Sequence, residues 1–135
     1  MAAQTRTAPP NVLTSIRPIH SIAGAVMSGV GTPELLLAGS ASPHAYALKP
    51  SDARKLEQAQ IVFWVGPELE IFLENPLRTL AATACKYALA DTPGLIILPI
   101  REGGLWEAHD DHQPHGTHDG NAIDPHFWLD PRNGA

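Results

Sequence analysis

The sequence predicts an α/β fold: a small parallel β-sheet of about four strands, flanked by helices on both faces. Short apolar runs alternate with amphipathic stretches along most of the chain, which is the pattern of repeated β-α-β units. The chain has 135 residues, and 44% of them are hydrophobic, which suits one domain with a buried core. Right-handed crossovers between parallel strands then place helices on both faces of the sheet.

The strands are predicted from short apolar runs at residues 12–16, 34–38, 61–65 and 95–98. The run at residues 61–65 reads Ile-Val-Phe-Trp-Val, and such a continuous apolar run is typical of a strand buried on both faces. Sheets of this kind bind ligands at the carboxyl ends of their strands. The loops that follow the second and fourth strands both carry histidines, so we expect these loops to bear the functional residues.

Three helices are predicted between or after these strands. The first begins at Pro18 and ends near Gly29, because proline is tolerated in a first helical turn and glycine favours a helix end. The second covers residues 49–60, where a Pro-Ser-Asp sequence gives a helix start. The third covers residues 69–84, and we expect Pro76 to kink or split it, since proline inside a helix removes a hydrogen bond.

Composition excludes several classes of function. The formal net charge of −5 argues against nucleic-acid binding through a broad basic face. No stretch approaches the ~18 consecutive apolar residues that a membrane span requires. Cys85 is the single cysteine, so an internal disulfide cannot form.

Two segments stand outside the alternating pattern. Residues 1–10 contain no apolar run, and we expect a disordered N-terminus there, followed by a metal-binding lobe over residues 11–135. The first residues carry no recognisable secretory signal, so the protein is expected to be cytoplasmic if Met1 is the true start. Residues 101–125 lack periodicity and are rich in His and Asp, so we expect a mobile loop.

The His/Asp-rich loop contains four histidines spaced three residues apart. They are His109, His112, His115 and His118. Neutral imidazole binds Zn²⁺, Cu²⁺ or Ni²⁺, and the neighbouring aspartates attract cations. The loop therefore predicts an adaptable metal site, although a solvated polar loop without a role is the alternative.

Two further histidines lie at positions suited to metal binding. His44 follows the second predicted strand, which places it at the ligand-binding edge of the sheet. His126 lies beside the apolar sequence Phe-Trp-Leu, which we expect to pack against the sheet and hold the ring in place. Asp124 or Asp130 could orient its second nitrogen, as carboxylates near metal-bound histidines commonly do. A surface residue for His44 and a hydrogen-bonded structural role for His126 are the alternatives.

These motifs together resemble the periplasmic zinc-binding proteins of ABC-type high-affinity zinc uptake systems, the ZnuA-like members of the metal-specific solute-binding proteins. The resemblance rests on His44 followed by a Pro-Ser-Asp helix start, the strand at 61–65, a Gly-Pro-Glu-Leu-Glu turn, and His126 before Phe-Trp-Leu-Asp-Pro. It covers roughly residues 11–133. It implies that His44 and His126 are zinc ligands, that the loop histidines form an auxiliary site, and that a membrane permease receives the ion.

The resemblance also implies an N-terminal lobe only. The family's long connecting helix and second lobe would follow residue 131, and such an isolated lobe is expected to expose apolar surface near Phe127, Trp128 and Leu129 and to self-associate. A gene remnant without function, a cytoplasmic zinc buffer acting through the loop, and a metallohydrolase are the alternative functions. Zinc, manganese, copper and nickel all stay open as the metal.

Overall fold

The structure is a computed structural model that describes residues 8–39, 42–100 and 123–133. The chain divides into two compact units, Met1–Asp91 and Thr92–Ala135. The first unit contains the sheet and its helices, and the second contains His126.

The first unit is built on a four-stranded parallel sheet. Its strands are β1 (Val12–Thr14), β2 (Glu34–Leu35), β3 (Ile61–Trp64) and β4 (Cys85–Ala88). Their order across the sheet is β2-β1-β3-β4, and every neighbouring pair is parallel. Val62 in β3 aligns with Leu13 on one side and with Lys86 on the other. The predicted parallel sheet of about four strands is confirmed.

Four helices accompany the sheet: α1 (Arg17–Val26), α2 (Pro50–Gln58), α3 (Pro67–Glu70) and α4 (Glu74–Thr79). The first three have a proline at their first or second position, where the missing N–H has no helical partner in any case. Short 3₁₀ turns cover Ile71–Leu73, Leu89–Asp91, Phe127–Leu129 and Pro131–Asn133. Within the described ranges, no helix has the length and apolar character needed to cross a membrane.

The fourth strand is not where the apolar pattern predicts it. Residues 95–98 form no strand, and the prediction there is wrong; the fourth strand is β4, which lies at the end of the predicted third helix. Cys85, Lys86 and Tyr87 are exposed, so β4 carries no run of buried apolar residues. Its backbone pairs with β3 along its whole length. Backbone hydrogen bonding rather than burial therefore selects this edge strand.

The predicted third helix is split, but not at Pro76. The break lies at Glu70, whose backbone leaves the helical region (φ −122°, ψ 49°), and the chain continues through the 3₁₀ turn Ile71–Leu73 into α4. Pro76 is the third residue of α4, within the first turn, where its absent N–H breaks no helical hydrogen bond. Pro76 therefore belongs to the first turn of a separate helix and does not kink a continuous one.

The core of the first unit lies around β1 and β3. Leu13, Leu56, Val62, Val65 and Leu73 are fully buried. In β3 the pattern alternates, since Val62 and Trp64 are buried and the two residues on the opposite face are half-buried. Apolar side chains from β1, α2, β3 and the 3₁₀ turn Ile71–Leu73 thus form the core.

A carboxyl group is enclosed in this core. Glu70 is completely buried, and its Oε2 accepts hydrogen bonds from the backbone N–H groups of Val65 (2.7 Å) and Gly66 (3.4 Å). Ser15, at the end of β1, lies near enough to lower the pKa of this carboxyl. Yet Ser15 Oγ and Glu70 Oε1 make no hydrogen bond of acceptable geometry with any described residue. Burial outweighs the three polar neighbours, and the net effect is a raised pKa for Glu70.

The turn that Glu70 caps requires glycine. Gly66 has φ 147° and ψ 174°, a region open almost solely to glycine, and an added Cβ would lie 2.9 Å from Glu68 Oε2. Gly66→Ala should therefore lower the free energy of unfolding by about 2 kcal/mol, measured by urea denaturation. Gly24→Ala in α1 is the control: nothing lies within 4 Å of its added Cβ, so stability should hold or rise. Equal losses in both variants would contradict a special role for the Gly66 backbone.

Candidate metal-binding site

His44 lies in the first unit, in the connection between β2 and α2. Its side chain is exposed, and its backbone N–H donates to Ser42 Oγ at 3.3 Å. The connection leaves β2 at the carboxyl end of that strand, as the sequence predicts. His44 is thus presented on a loop, with α2 beginning six residues later at Pro50.

His126 lies in the second unit and is oriented by a carboxylate. Asp124 Oδ1 lies 2.7 Å from His126 Nδ1 and also accepts the backbone N–H of His126 at 3.0 Å. Because a carboxylate accepts hydrogen bonds, this contact places the proton of a neutral ring on Nδ1 and the lone pair on Nε2. Carboxylates fix metal-binding histidines in the same way. Of the two aspartates that the sequence offered, Asp124 contacts the ring.

The other aspartate has a different partner. Asp130 accepts hydrogen bonds from the Arg132 guanidinium, at 2.9 Å from Nε to Oδ1. These hydrogen bonds hold the pKa of Asp130 at about 2. Asp130 is therefore ionised at neutral pH and engaged with a cation of its own.

The segment that carries His126 is fixed by contacts that sequence reasoning missed. Asn133 Nδ2 donates to the carbonyls of Phe127 and Ile96, both at 2.9 Å, and its Oδ1 accepts the Ile96 N–H at 2.8 Å. The Asp124 N–H donates to the Leu98 carbonyl at 2.8 Å. Asparagine is common in polar turns, so its presence at position 133 gave no signal of this role.

Aromatic packing adds to this support. The His126 and Trp128 rings meet edge to face with centroids 5.3 Å apart, and Trp128 meets Phe127 in the same way at 5.8 Å. Phe127 is buried, whereas Leu129 is 74% exposed, so the apolar surface expected near these residues is present at Leu129. The His126 ring thus has aromatic neighbours within its own segment.

An open cavity of about 520 Å³ lies beside His126. Its polar lining comprises Asp124, His126, Asp130 and Arg132, and its apolar lining comprises Ile96, Leu98, Phe127, Leu129 and Pro131. The lining thus combines an oriented imidazole and ionisable groups with an apolar wall.

The four loop histidines lie outside the described residues: His109, His112, His115 and His118. Among the described residues, no three His, Cys, Asp or Glu side chains form a group that could hold a metal ion. His44 and His126 belong to different units. The remaining histidine, His20, lies in α1 with its Nδ1 3.1 Å from Thr14 Oγ1.

Comparison with known families identifies the chain. The family model for ZnuA, described as zinc-uptake complex component A, periplasmic, matches residues 12–135. The chain belongs to the ZnuA family. The resemblance recognised from His44, His126 and the motifs around them is therefore confirmed at the level of family.

Curated ZnuA proteins are similar over most of this chain. The high-affinity zinc uptake system protein ZnuA of Brucella abortus (strain 2308) is 44% identical over 148 aligned positions, which cover 91% of this chain and 44% of that protein. The protein of the same name from Yersinia pestis is 41% identical, over 89% of this chain and 41% of its own length. The chain thus spans less than half the length of these ZnuA relatives.

Solved structures support the α/β fold of this ZnuA-family chain. The AdcAII protein of Streptococcus pneumoniae superposes with a TM-score of 0.65, at 17% identity, over 93% of this chain and 40% of that one. A Mn-bound periplasmic metal-binding protein from Candidatus Liberibacter asiaticus gives a TM-score of 0.60 at 22% identity, over 69% of this chain and 34% of that one. Since both identities are low, these likenesses concern the fold.

Proposed function

We propose that this ZnuA-family chain takes part in capturing Zn²⁺ as cargo, within the solute-binding component of an ABC-type zinc importer. The observation that carries this proposal is the contact between Asp124 and His126, in which a carboxylate fixes the tautomer and direction of an imidazole. The chemistry is capture and release, with no bond of the cargo made or broken. The periplasm is the compartment in which such a component works.

We assign His44 and His126 as ligands of the captured ion. Both are histidines, and imidazole nitrogen suits Zn²⁺ better than Mn²⁺, which prefers oxygen ligands. Structural zinc sites hold four ligands in a tetrahedron, so two histidines fill half of the shell. The other ligands belong to the remainder of the longer protein that the ZnuA relatives represent, or to water.

The loop histidines have a separate role in this proposal. His109, His112, His115 and His118 form an auxiliary site that concentrates zinc at low affinity, because wrapping a sequence that contains glycine and proline around an ion costs conformational entropy. Neighbouring aspartates in the loop add attraction for cations. The loop thus supplies zinc to the ligand pair without replacing it.

The partners follow from the same role. A membrane permease would receive the ion from the complete protein. For the isolated chain, the exposed Leu129 and the apolar wall of the cavity beside His126 favour self-association.

The role of Asp124 gives a direct test. Asp124→Asn keeps an oxygen for the backbone N–H of His126 but removes the negative charge, so zinc affinity should fall by about 10- to 100-fold, measured by competition with a chelator. The matched control is Asp130→Asn in the same segment, whose carboxylate contacts Arg132 instead. Equal losses in the two variants, or no loss in Asp124→Asn, would contradict the proposed role of this carboxylate.

A further inference from the structure

Polar contacts converge just after His44, at the start of α2. The Asp52 carboxylate is 5% exposed, and its Oδ2 accepts the Tyr46 hydroxyl at 2.7 Å and the Lys49 backbone N–H at 3.0 Å. Ser51 Oγ lies 3.4 Å from the second oxygen. A single buried carboxylate therefore fixes both the loop before α2 and the first turn of the helix.

Tyr46 is held at both ends of its side chain. Its hydroxyl is bound by Asp52, and its ring meets Phe72 edge to face, with centroids 5.4 Å apart and planes at 63°. Phe72 lies in the 3₁₀ turn Ile71–Leu73. The Tyr46 side chain thus connects the loop to two separate elements of the first unit, α2 and this turn.

The distance along the chain makes this anchor matter for His44. Tyr46 is two positions after His44, so their Cα atoms lie within about 7 Å of each other. The loop's own hydrogen bonds at Ser42 are longer: 3.3 Å from the His44 N–H to Ser42 Oγ and 3.4 Å from the Ala45 N–H to the Ser42 carbonyl. The 2.7 Å bond of Tyr46 is the better formed constraint.

We propose that Tyr46 and Asp52 are positioning residues that hold His44 in the place from which it binds metal. This inference rests on the proposed function, since it takes His44 to be a ligand. We call the hydrogen bond between Tyr46 and Asp52 the brace. It reduces the conformational entropy that the loop would lose on binding an ion, and so raises zinc affinity without either residue touching the metal.

The negative charge of Asp52 strengthens its hydrogen bond with Tyr46. The Tyr46 hydroxyl is the hydrogen-bond donor to Asp52 Oδ2, at 2.7 Å. Burial raises the pKa of Asp52, but the hydrogen bonds from Tyr46 and Lys49, together with the charges of Lys55 and Lys49, outweigh it and leave that pKa below its usual value. A protonated donor thus faces an ionised acceptor across the neutral range.

The test compares two identical substitutions on the complete 135-residue chain. Tyr46→Phe removes the hydroxyl and keeps the ring against Phe72. We expect zinc affinity to fall about fivefold, less than the roughly 10- to 100-fold seen when a partner that contacts a ligand directly is lost. Tyr87→Phe is the matched control, because Tyr87 also stacks on a phenylalanine (Phe63, 5.4 Å) and lies in β4, away from the loop in sequence. The control should bind zinc like the parent. Affinity is measured by competition with a chelator.

Two further measurements separate positioning from general stability. Urea unfolding without metal should give Tyr46→Phe nearly the stability of the parent, and the visible spectrum of bound Co²⁺ should change in Tyr46→Phe but not in Tyr87→Phe. Asp52→Asn retains an oxygen acceptor, so its affinity should lie between those of the parent and Tyr46→Phe. The double variant Tyr46→Phe/Asp52→Asn should be no weaker than Tyr46→Phe, because the two changes remove one interaction.

His44→Ala distinguishes failure of the brace from failure of the proposed function. If His44→Ala weakens zinc binding while Tyr46→Phe binds like the parent, the brace is wrong and the ligand assignment stands. If His44→Ala has no effect, the ligand assignment fails and the brace fails with it. Equal weakening by Tyr46→Phe and Tyr87→Phe would also overturn the brace.

Discussion

Replacing His126 by alanine should weaken zinc binding by more than about 100-fold. Loss of an outer-shell partner already costs about 10- to 100-fold, and this variant removes the proposed ligand itself, together with the nitrogen that Asp124 orients. His44→Ala should cause a loss of the same order. Deletion of residues 109–118 should remove weak binding and leave the tighter site. Isothermal titration calorimetry of the four proteins measures these affinities.

His20→Ala is the control for histidine content, because His20 lies in α1 beside Thr14 and outside the proposed site. It should bind zinc like the parent. Affinity in the parent should also fall as the pH is lowered, because a protonated imidazole has lost the lone pair that binds the metal. If His44→Ala and His126→Ala bind like the parent while the deletion abolishes binding, the loop is the whole site and a zinc buffer is the better description.

Removal of the buried carboxyl should have the largest effect on stability. Glu70→Ala would leave the buried N–H groups of Val65 and Gly66 without their side-chain acceptor and open a cavity in the core. The expected loss is about 3 kcal/mol in the free energy of unfolding, measured by urea denaturation. Glu68→Ala on the exposed side of α3 is the control and should change stability by less than about 0.5 kcal/mol.

Glu70 should also make stability depend on pH in a defined direction. Burial raises the pKa of Glu70 in the folded state above its usual value of 4.5, so the folded chain binds this proton more tightly than the unfolded chain does. The stabilisation is therefore complete below pH 4.5 and is lost as the pH rises through the folded-state pKa. Glu70→Gln remains neutral at every pH, so its stability relative to the parent should increase as the pH rises from 4 to 8.

A matched substitution again isolates the effect. Glu68→Gln removes the same charge from an exposed position on the same helix and should show little pH-dependent difference from the parent. A flat difference between Glu70→Gln and the parent across the pH range would show that the carboxyl has an ordinary pKa in the folded chain.

Most of the fold could be predicted because burial leaves a pattern in the sequence. β1, β2 and β3 were found from their apolar runs, and α1 and α2 from prolines at their starts. β4 was missed because its side chains are exposed and it forms through backbone pairing with β3. Such pairing leaves no hydrophobic pattern in the sequence. The break at Glu70 was missed for a related reason: its carboxyl group accepts hydrogen bonds from the N–H groups of Val65 and Gly66, and the apolar spacing of residues 69–84 gives no sign of this contact.

The proposed ligands are predictions from the sequence, and the contacts that support them were found only in the structure. His44 and His126 were found from their sequence surroundings, and one of two aspartates beside His126 was expected to orient it; the structure shows Asp124 in contact with the ring. Tyr46 and Asn133 were not singled out, because each acts through contacts with residues distant in sequence or with backbone groups. Such contacts depend on tertiary structure, so they cannot be predicted from the type of a single residue.

The Asn133 amide does for Ile96 what a neighbouring strand would do. It donates to the Ile96 carbonyl and accepts the Ile96 N–H, which is how one peptide group pairs with another across a ladder. Residues 95–98 have the apolar sequence of a strand, and a side chain provides the pairing at this point. A peptide group keeps its donor and acceptor through every substitution except proline. A side-chain amide does not: aspartate keeps the acceptor and loses the donor, and alanine loses both. The pairing of Ile96 with the segment that carries His126 therefore depends on the identity of one residue, Asn133. A single point mutation can remove this pairing, and selection can adjust it equally easily.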